Sequence, residues 1–246
     1  MEILIINMHT ASDVIVALES FSNPERAQHS QRFFKTGKGE YGENDVFIGL
    51  TVPQQRKVAK KFTDLSLSDI EKLLTSDVHE HRFTGLVILV NVYKKGEEMT
   101  KKKVYDFYLK HLYAVNNWDL VDTSAPNIVG EYLSEHVKER NILYTLATSM
   151  DLWEKRVAIL STFAFIKRDD FDDTLAISEI LLEDSHDLIH KAVGWMLREV
   201  GKRDQTVEEV FLKKHADKMP RTMLRYAIEK FNEPLRQYYI NLKNKK

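Results

Sequence analysis

The sequence predicts an all-α fold, an α-solenoid (superhelix) of HEAT-like helical repeats. Apolar residues recur at helical spacing along nearly the whole chain, and no stretch shows the alternation of a strand between turn residues. A weak internal repeat is the second observation. Segments that begin at His81, Lys155 and His190 each combine a basic pair, an apolar helix and a basic end.

The repeat has a period close to 36 residues. Arg156 and Lys191 are 35 positions apart, and Arg82 and Arg156 are 74 apart, about two periods. The segment Asn116–Gly130 falls in the gap and supplies the middle unit. Paired helices of this period stack into a curved array whose concave face is an extended binding surface. We therefore expect one domain, residues 1–246.

Composition excludes several classes of protein. With no Cys among 246 residues, disulfides, thiolate nucleophiles and Cys-rich zinc sites are excluded. No apolar run approaches the roughly 20 residues of a membrane span. The opening MEILIINMHT lacks the basic start and long apolar core of a signal peptide. We expect a cytoplasmic protein with no membrane partner.

The charge is unevenly distributed. The net charge is −1, but the segment from Arg198 to Lys246 holds 13 Lys and Arg against 7 Asp and Glu. Such runs usually form solvated helix faces. They permit a phosphate-binding surface without demonstrating one.

Caps and prolines predict the first helices. Ser12 is expected to cap a helix that ends at Phe21, and Asn23-Pro24 opens the next with Pro at its first position. Residues 35–45 form a loop with three of the nine glycines. We interpret this loop, Lys35 to Asp45, as a connector because the phosphate-binding pattern GxxxxGK[ST] is absent.

The later helices are predicted in the same way. A helix begins at Thr51-Val52-Pro53, and Ser68 with Glu71 forms a capping box for another. Further helices are predicted at residues 78–94, 98–114, 118–134, 139–149, 151–166, 173–183, 187–200, 206–215, 221–231 and 234–242.

The segment NNWDLVDTSAPNIVG is the first candidate for chemistry. Trp118 and Asp122 are four residues apart, so a helix puts an indole and a carboxylate on one face. Pro126 is expected to break or kink this helix, because its ring would clash with the carbonyl of Asp122. A carboxylate near the end of a helix is suitably placed to take part in catalysis. A core Trp with a capping Asp is an equal alternative.

The helix from Asp187 carries the second candidate. Its apolar stripe comprises Ile189, Val193, Met196, Leu197 and Val200. Trp195 lies on the opposite side with Lys191, Arg198 and Lys202. An indole among cations suits a nucleic-acid backbone or a cationic ligand. The alternative is that a neighbouring helix covers it.

The helix from Asp151 places Arg156 beside an apolar stripe made by Trp153, Val157, Leu160 and Ala164. A guanidinium so placed needs an anion, either a carboxylate of an adjacent helix or a ligand phosphate. Asp122 precedes Arg156 by 34 residues, about one repeat, so both residues are candidates for one groove. A purely structural ion pair between them is the alternative.

The nine histidines are expected to be surface or capping residues. His186 and His190 have the i, i+4 spacing of a metal pair, but no HExxH accompanies them. His79 and His81 would diverge on a helix. We therefore predict no metal site and no cofactor.

Three motifs occur together in order: WDLVD with the following APxxxG, WxxR from Trp153, and GWxLRE from Gly194. With FIGLTVPQQRKVAK near the start and MPRTMLRYAIEKF near the end, they closely resemble the DNA alkylation repair enzyme family, the HEAT-like-repeat alkylpurine DNA glycosylases. The resemblance covers nearly the whole chain and implies a concave DNA-binding face.

The resemblance also implies an activity: hydrolytic excision of cationic alkylated purines, such as N3-methyladenine and N7-methylguanine, from double-stranded DNA in base excision repair. The family's functional positions match Trp118, Asp122, Arg156 and Trp195. Phe33 is the best counterpart of a further aromatic contact, although the pattern departs from the family at the adjoining loop. Further phosphate contacts are expected from Lys191, Arg198, Lys202 and Arg221.

Two other functions are compatible with such a sequence. A non-catalytic relative would bind damaged or branched DNA without releasing a base. A protein-binding helical scaffold would show no salt-sensitive DNA binding. We expect a monomer, because no long apolar seam remains for a second copy. As a DNA repair enzyme it would associate with the nucleoid while it acts.

Overall fold

The structure is a computed structural model that describes residues 9–242. It divides after Ser124 into two compact units. The helices of the first unit are α1 Ala11–Glu19, α2 Pro24–Phe33, α3 Val52–Ala59, α4 Leu67–Leu74, α5 His79–Lys95, α6 Glu98–Lys110 and α7 Trp118–Ser124, with a 3₁₀ turn at Leu112–Ala114.

The second unit opens with a π-helical segment, Pro126–Gly130. Its helices are α8 Glu131–Glu135, α9 Asn141–Ala147, α10 Leu152–Ser161, α11 Phe163–Ile166, α12 Asp172–Ile180, α13 Asp187–Arg203, α14 Gln205–His215, α15 Arg221–Ala227 and α16 Glu233–Asn241. The 3₁₀ turns are Val137–Glu139, Leu181–Glu183 and Ile228–Lys230.

The predicted all-α class is confirmed. Over residues 9–242 the only β-type pairing is one isolated bridge between Val46 and Val78. In the same part of the chain, no helix combines the length and the apolar character that crossing a bilayer requires.

Two predicted helix caps are wrong by two residues. Thr10, not Ser12, caps α1, because its hydroxyl accepts from the Asp13 amide while the Asp13 carboxylate accepts from the Thr10 amide. Ser66, not Ser68, caps α4: its Oγ accepts from the Asp69 amide at 3.1 Å, and its hydroxyl lies 2.6 Å from the Asp69 Oδ2. The cap at Asn23 with Pro24 in the first turn is confirmed.

The predicted break or kink at Pro126 takes the form of a change of helix type: α7 ends at Ser124, and a π-helical segment starts at Pro126. Ala125 keeps helical backbone angles, and the chain continues as a π-helical turn in which the Gly130 amide donates to the Ala125 carbonyl at 2.9 Å. Pro126 is the first residue of that segment, and because it lacks an N–H it cannot donate to the Asp122 carbonyl as a residue of an uninterrupted α-helix would. Gly130 allows the turn to pack closely, since a Cβ there would lie 2.2 Å from the Ser161 carbonyl oxygen.

One long helix forms the centre of each unit. Helix α5 is buried over most of its length and packs against α3, α4, α6 and α7. Helix α13 packs against α10, α12, α14 and α15, and its predicted apolar stripe is fully buried. The repeat segments that begin at His81 and His190 therefore lie in α5 and α13, the central buried helices of the two units.

Helices α13 and α15 lie close together at Gly194. A Cβ at this position would lie 2.4 Å from the Met223 carbonyl oxygen and 2.5 Å from the Tyr226 Cβ. Backbone atoms cannot move aside as a side-chain end can, so no methyl group fits without separating the helices.

We expect Gly194→Ala to lower the free energy of unfolding by about 1–3 kcal/mol, the usual cost of overpacking. The gain of roughly 1 kcal/mol in helix propensity offsets part of this cost. Urea denaturation measures the change. Lys213→Ala, on the exposed face of α14, is the control and should change little. Unchanged or increased stability in Gly194→Ala would show that the two helices can separate freely.

Candidate functional site

Trp118 is the first residue of α7 and belongs to a cluster of stacked rings. Its indole is half-buried and lies parallel to Phe34, with centroids 5.3 Å apart and planes 11° apart. Phe33 meets the indole edge-on at 6.0 Å. The Phe33 side chain is 57% exposed. The structure thus brings Phe33 and Trp118 together on one aromatic surface that solvent reaches.

Asp122 lies one turn along α7 from Trp118 and is half-buried. Its charge acts on Tyr108, a buried residue of α6 whose hydroxyl lies 2.9 Å from the Ser124 Oγ. Burial, together with the negative Asp122, raises the pKa of Tyr108 above its usual value. The Tyr108 phenol therefore remains a neutral hydrogen-bonding group beside the Asp122 carboxylate.

Beneath these residues lies a buried polar network centred on His79, the first residue of α5. The His79 Nδ1 lies 3.0 Å from the Asp45 Oδ2, and the His79 Nε2 lies 2.8 Å from the Asp119 Oδ2. Arg82 donates to the other oxygen of Asp45 and, at 2.8 Å, to the Ser76 carbonyl. The Asn117 Nδ2 donates to the Asp45 Oδ2 at 3.1 Å.

The predicted location of the histidines is therefore wrong for several of them. His79, His81 and His215 are buried, with His79 only 2% exposed; His111 is also buried, but it is the C-cap of α6, as the prediction allowed. Each of the four rings lies within hydrogen-bonding or ion-pairing distance of other side chains. His79 has Asp45 and Asp119, His81 has Ser76, His111 has Glu71, and His215 has Glu179. These partners lower the cost of burying a polar ring, although the buried His81 Nε2 has no hydrogen-bond partner among the described residues.

Burial alone would lower the pKa of His79, but the Asp119 and Asp45 carboxylates outweigh it and raise the pKa to about 9. In the second unit, burial raises the pKa of Glu208, which is 1% exposed, also to about 9. At neutral pH, His79 is thus a cation and Glu208 is a neutral acid.

We expect alkaline pH to destabilise the protein through both groups. The His79 contribution is fully present below its unfolded pKa of about 6.5 and is lost as pH rises through 9; it is on the order of 3 kcal/mol. Ionisation of Glu208 also lowers the stability as pH rises, because the folded state binds the Glu208 proton more tightly than the unfolded chain does. Denaturation in the Glu208→Gln variant isolates the His79 part. A flat profile from pH 6.5 to 9 in that variant would contradict the assignment.

In the second unit, Trp195 is half-buried on α13. Its Nε1 donates to the Glu199 Oε1 at 3.1 Å, and its ring lies 6.1 Å from that of Phe163. Glu199 also pairs with Lys202 at 2.7 Å. The indole edge is therefore held by an acid of its own helix, one turn further along.

Arg156 is 5% exposed, close to the apolar stripe as predicted. Its Nη1 donates to the Leu188 carbonyl of α13 at 2.6 Å. A backbone carbonyl is thus one of its acceptors, which the sequence did not indicate. Arg156 can hold a phosphate with two parallel N–H donors only if two of its guanidinium nitrogens remain accessible.

The other predicted phosphate contacts are basic residues engaged with the protein itself. Lys191 pairs with Asp187 at 2.7 Å, Arg198 pairs with Glu229, and the Arg221 Nη1 donates to the Ile240 carbonyl at 2.7 Å. A phosphate would have to compete with these acceptors. His186 and His190 bond to backbone groups of their own segment.

Two features of this site had not been predicted: Phe34, which stacks on Trp118, and the buried network of Asp45, His79 and Asp119. One signal was available: Asp119 stands within WDLVD, and a carboxylate beside a candidate site calls for a partner. Nothing in the sequence identified His79, 40 residues away, as that partner.

Comparison with known proteins gives consistent matches. A family model described as DNA alkylation repair enzyme matches residues 14–231. A structure described as a predicted DNA alkylation repair enzyme from Enterococcus faecalis is similar, with 17% identity and a TM-score of 0.69 over 86% of this chain and 97% of that one. The crystal structure of AlkD2 from Streptococcus mutans is 18% identical, with a TM-score of 0.54 over 91% and 100%. No match was found among curated proteins.

Proposed function

Because the chain belongs to the DNA alkylation repair enzyme family, we propose that it is a DNA glycosylase. Its substrates would be positively charged alkylated purines, such as N3-methyladenine and N7-methylguanine, in double-stranded DNA. The reaction would be hydrolysis of the N-glycosidic bond, the first step of base excision repair. The nucleoid would be its place of action.

One observation carries this proposal: α7 presents a half-buried carboxylate, Asp122, one turn from the indole of Trp118. N-alkylation puts a positive charge on the purine and weakens its bond to the sugar. The departing base takes the bonding electron pair and becomes neutral, while the sugar gains oxocarbenium character. A fixed carboxylate stabilises that charge and orients the water that attacks C1′.

The aromatic residues would recognise the cationic nucleotide. Trp118 and Trp195 offer electron-rich faces to a positive group, and the exposed Phe33 extends the Trp118 surface. Arg156, with Lys191, Arg198, Lys202 and Arg221, would contact phosphates and fix the DNA backbone without reading sequence. Each contact made by a paired cation replaces an intramolecular acceptor, so these contacts would add modestly to affinity.

We expect the lesion's own charge to supply much of the activation, without extrusion of the base into a deep pocket. Neutral, stable adducts should therefore be poor substrates. Most glycosylases, in contrast, select lesions in a pocket that encloses a flipped base.

The test measures two quantities on the full chain: free purines released from methylated duplex DNA, and DNA affinity as a function of salt. A glycosylase releases alkylpurines and binds less tightly as salt rises. Salt-sensitive binding without release would identify a DNA-binding protein that lacks the chemistry. Absence of salt-sensitive binding would indicate a protein scaffold. Efficient release of a neutral adduct would contradict the proposed basis of selectivity.

A further inference from the structure

Both ring nitrogens of His79 face carboxylate oxygens, at 3.0 Å to Asp45 and 2.8 Å to Asp119. A neutral imidazole has one N–H donor and one lone pair. In the neutral form, one contact would set that lone pair against a carboxylate oxygen. Only the imidazolium donates to both, so the geometry requires a charged ring in this position.

The surrounding charges are balanced around that cation. Asp45 also accepts from Arg82, so two carboxylates face two cations. Glu80, the next residue of α5, accepts the backbone amides of residues 48–50 at 2.8–3.2 Å. A loss of the His79 proton would leave one negative charge without a matching cation in a buried site.

The bridge joins three separate parts of the first unit. Asp45 ends the loop that follows α2, His79 begins α5, and Asp119 is the second residue of α7. Asn117, just before α7, adds a second tie, because its Nδ2 donates to the Asp45 Oδ2 at 3.1 Å while its Oδ1 accepts from the Trp118 amide at 2.9 Å. Helix α7 has seven residues, so ties at its first turn determine how it is rotated about its axis.

Ring stacking connects the same imidazolium to the candidate site. His79 stacks on Phe47 at 4.6 Å and lies 4.9 Å from Phe34, which in turn stacks on Trp118. A shift of the His79 ring would thus be transmitted to the indole through Phe34, which contacts both rings.

We propose that His79 is a positioning residue whose imidazolium bridges Asp45 and Asp119, fixes the rotation of α7 and thereby orients Trp118 and Asp122. It touches no substrate and acts through these two residues. The consequence for base release rests on the proposed glycosylase function; the effect on Trp118 does not.

The first experiment follows Trp118 without any substrate. The chain has three Trp residues, so replacing Trp153 and Trp195 with Phe leaves Trp118 as the only indole emitter. Its emission maximum and acrylamide quenching are recorded from pH 6 to 10. We expect a transition with a midpoint near pH 9, where His79 loses its proton. Asp119→Asn should move the midpoint downward, because one of the two carboxylates that favour the charge is removed.

Matched variants assign the transition. His79→Gln should abolish it, since an amide does not titrate. His81→Gln is the control: His81 is also buried in the first turn of α5, but its Nδ1 lies against the Ser76 Oγ rather than a carboxylate. This control should keep the transition. A transition that persists in His79→Gln, or none in the parent chain, would overturn the proposal.

The second experiment measures single-turnover base release from methylated DNA in the chain with all three Trp residues. His79→Gln should slow release by about 10- to 100-fold, as misplacement of reacting groups does, with little change in Kd. Release by a His79→Gln chain that circular dichroism shows to be folded, at the parental rate, would contradict positioning. If the parent releases no base, the glycosylase proposal fails, and the fluorescence experiment still decides the role of His79.

Discussion

Replacing Asp122 with Asn is expected to slow the release of alkylated purines by at least about 100-fold, the loss seen when one preorganised electrostatic contact to a transition state is removed. The amide keeps the shape of the side chain and removes its negative charge, which the developing oxocarbenium requires. Single-turnover release from methylated duplex DNA measures the effect. Affinity for the same DNA should be retained, because the carboxylate contributes to the transition state rather than to binding of the backbone.

Asp106→Asn is the matched control. Asp106 is an exposed carboxylate of α6 in the same unit, paired with Lys102. Exposed pairs of this kind contribute little to stability, so both release and binding should stay at the parental level. If Asp122→Asn releases bases as fast as this control does, Asp122 is not the catalytic carboxylate.

The second large effect is expected from Asp45→Asn. Asp45 is buried and accepts from Arg82, His79 and Asn117. An amide in its place leaves two buried cations facing one carboxylate. Removing one partner of a buried ion pair typically costs about 3–5 kcal/mol, and we expect a loss of this order in the free energy of unfolding. Urea denaturation followed by circular dichroism measures it.

Asp77→Asn provides the comparison for that measurement. Asp77 is an exposed residue of the turn that contacts the same loop through its backbone carbonyl, which accepts from the Val46 amide. Its side chain can change without disturbing that bond, so stability should stay within about 0.5 kcal/mol, as for most surface changes. Equal stability of the two variants would mean that the Asp45 network contributes nothing net.

Most helices could be predicted from the sequence because their signals are local. Asn23-Pro24 defines the start of α2 within a few residues, and the apolar stripe of α13 follows from helical periodicity alone. Errors occurred where two residues compete for one role. Thr10 and Ser12 can both cap a helix, and only the reciprocal bond with Asp13 decides between them. Pro126 interrupts the α-helix as its ring predicts, but nothing in the sequence indicated that the next turn would be π-helical.

The residues of the candidate site also divide into those that local spacing predicts and those that it does not. Trp118 and Asp122 could be identified because four-residue spacing on a helix determines their common face. His79 could not, because its partners are 34 and 40 residues away and its burial depends on them. A long-range polar network leaves no periodic pattern in the sequence, since each member is a single residue in a different element.

The loop from Lys35 to Asp45 is fixed at both ends and open at its tip. The Gly42 amide donates to the Lys35 carbonyl at 3.0 Å, and Asp45 is held in the His79 network. At Gly39, in contrast, no atom lies within 4 Å of where a Cβ would be. Gly39 itself must stay glycine because its φ is 78°, so the exposed side chain of Lys38 beside it is the suitable place for a dye that marks the aromatic surface.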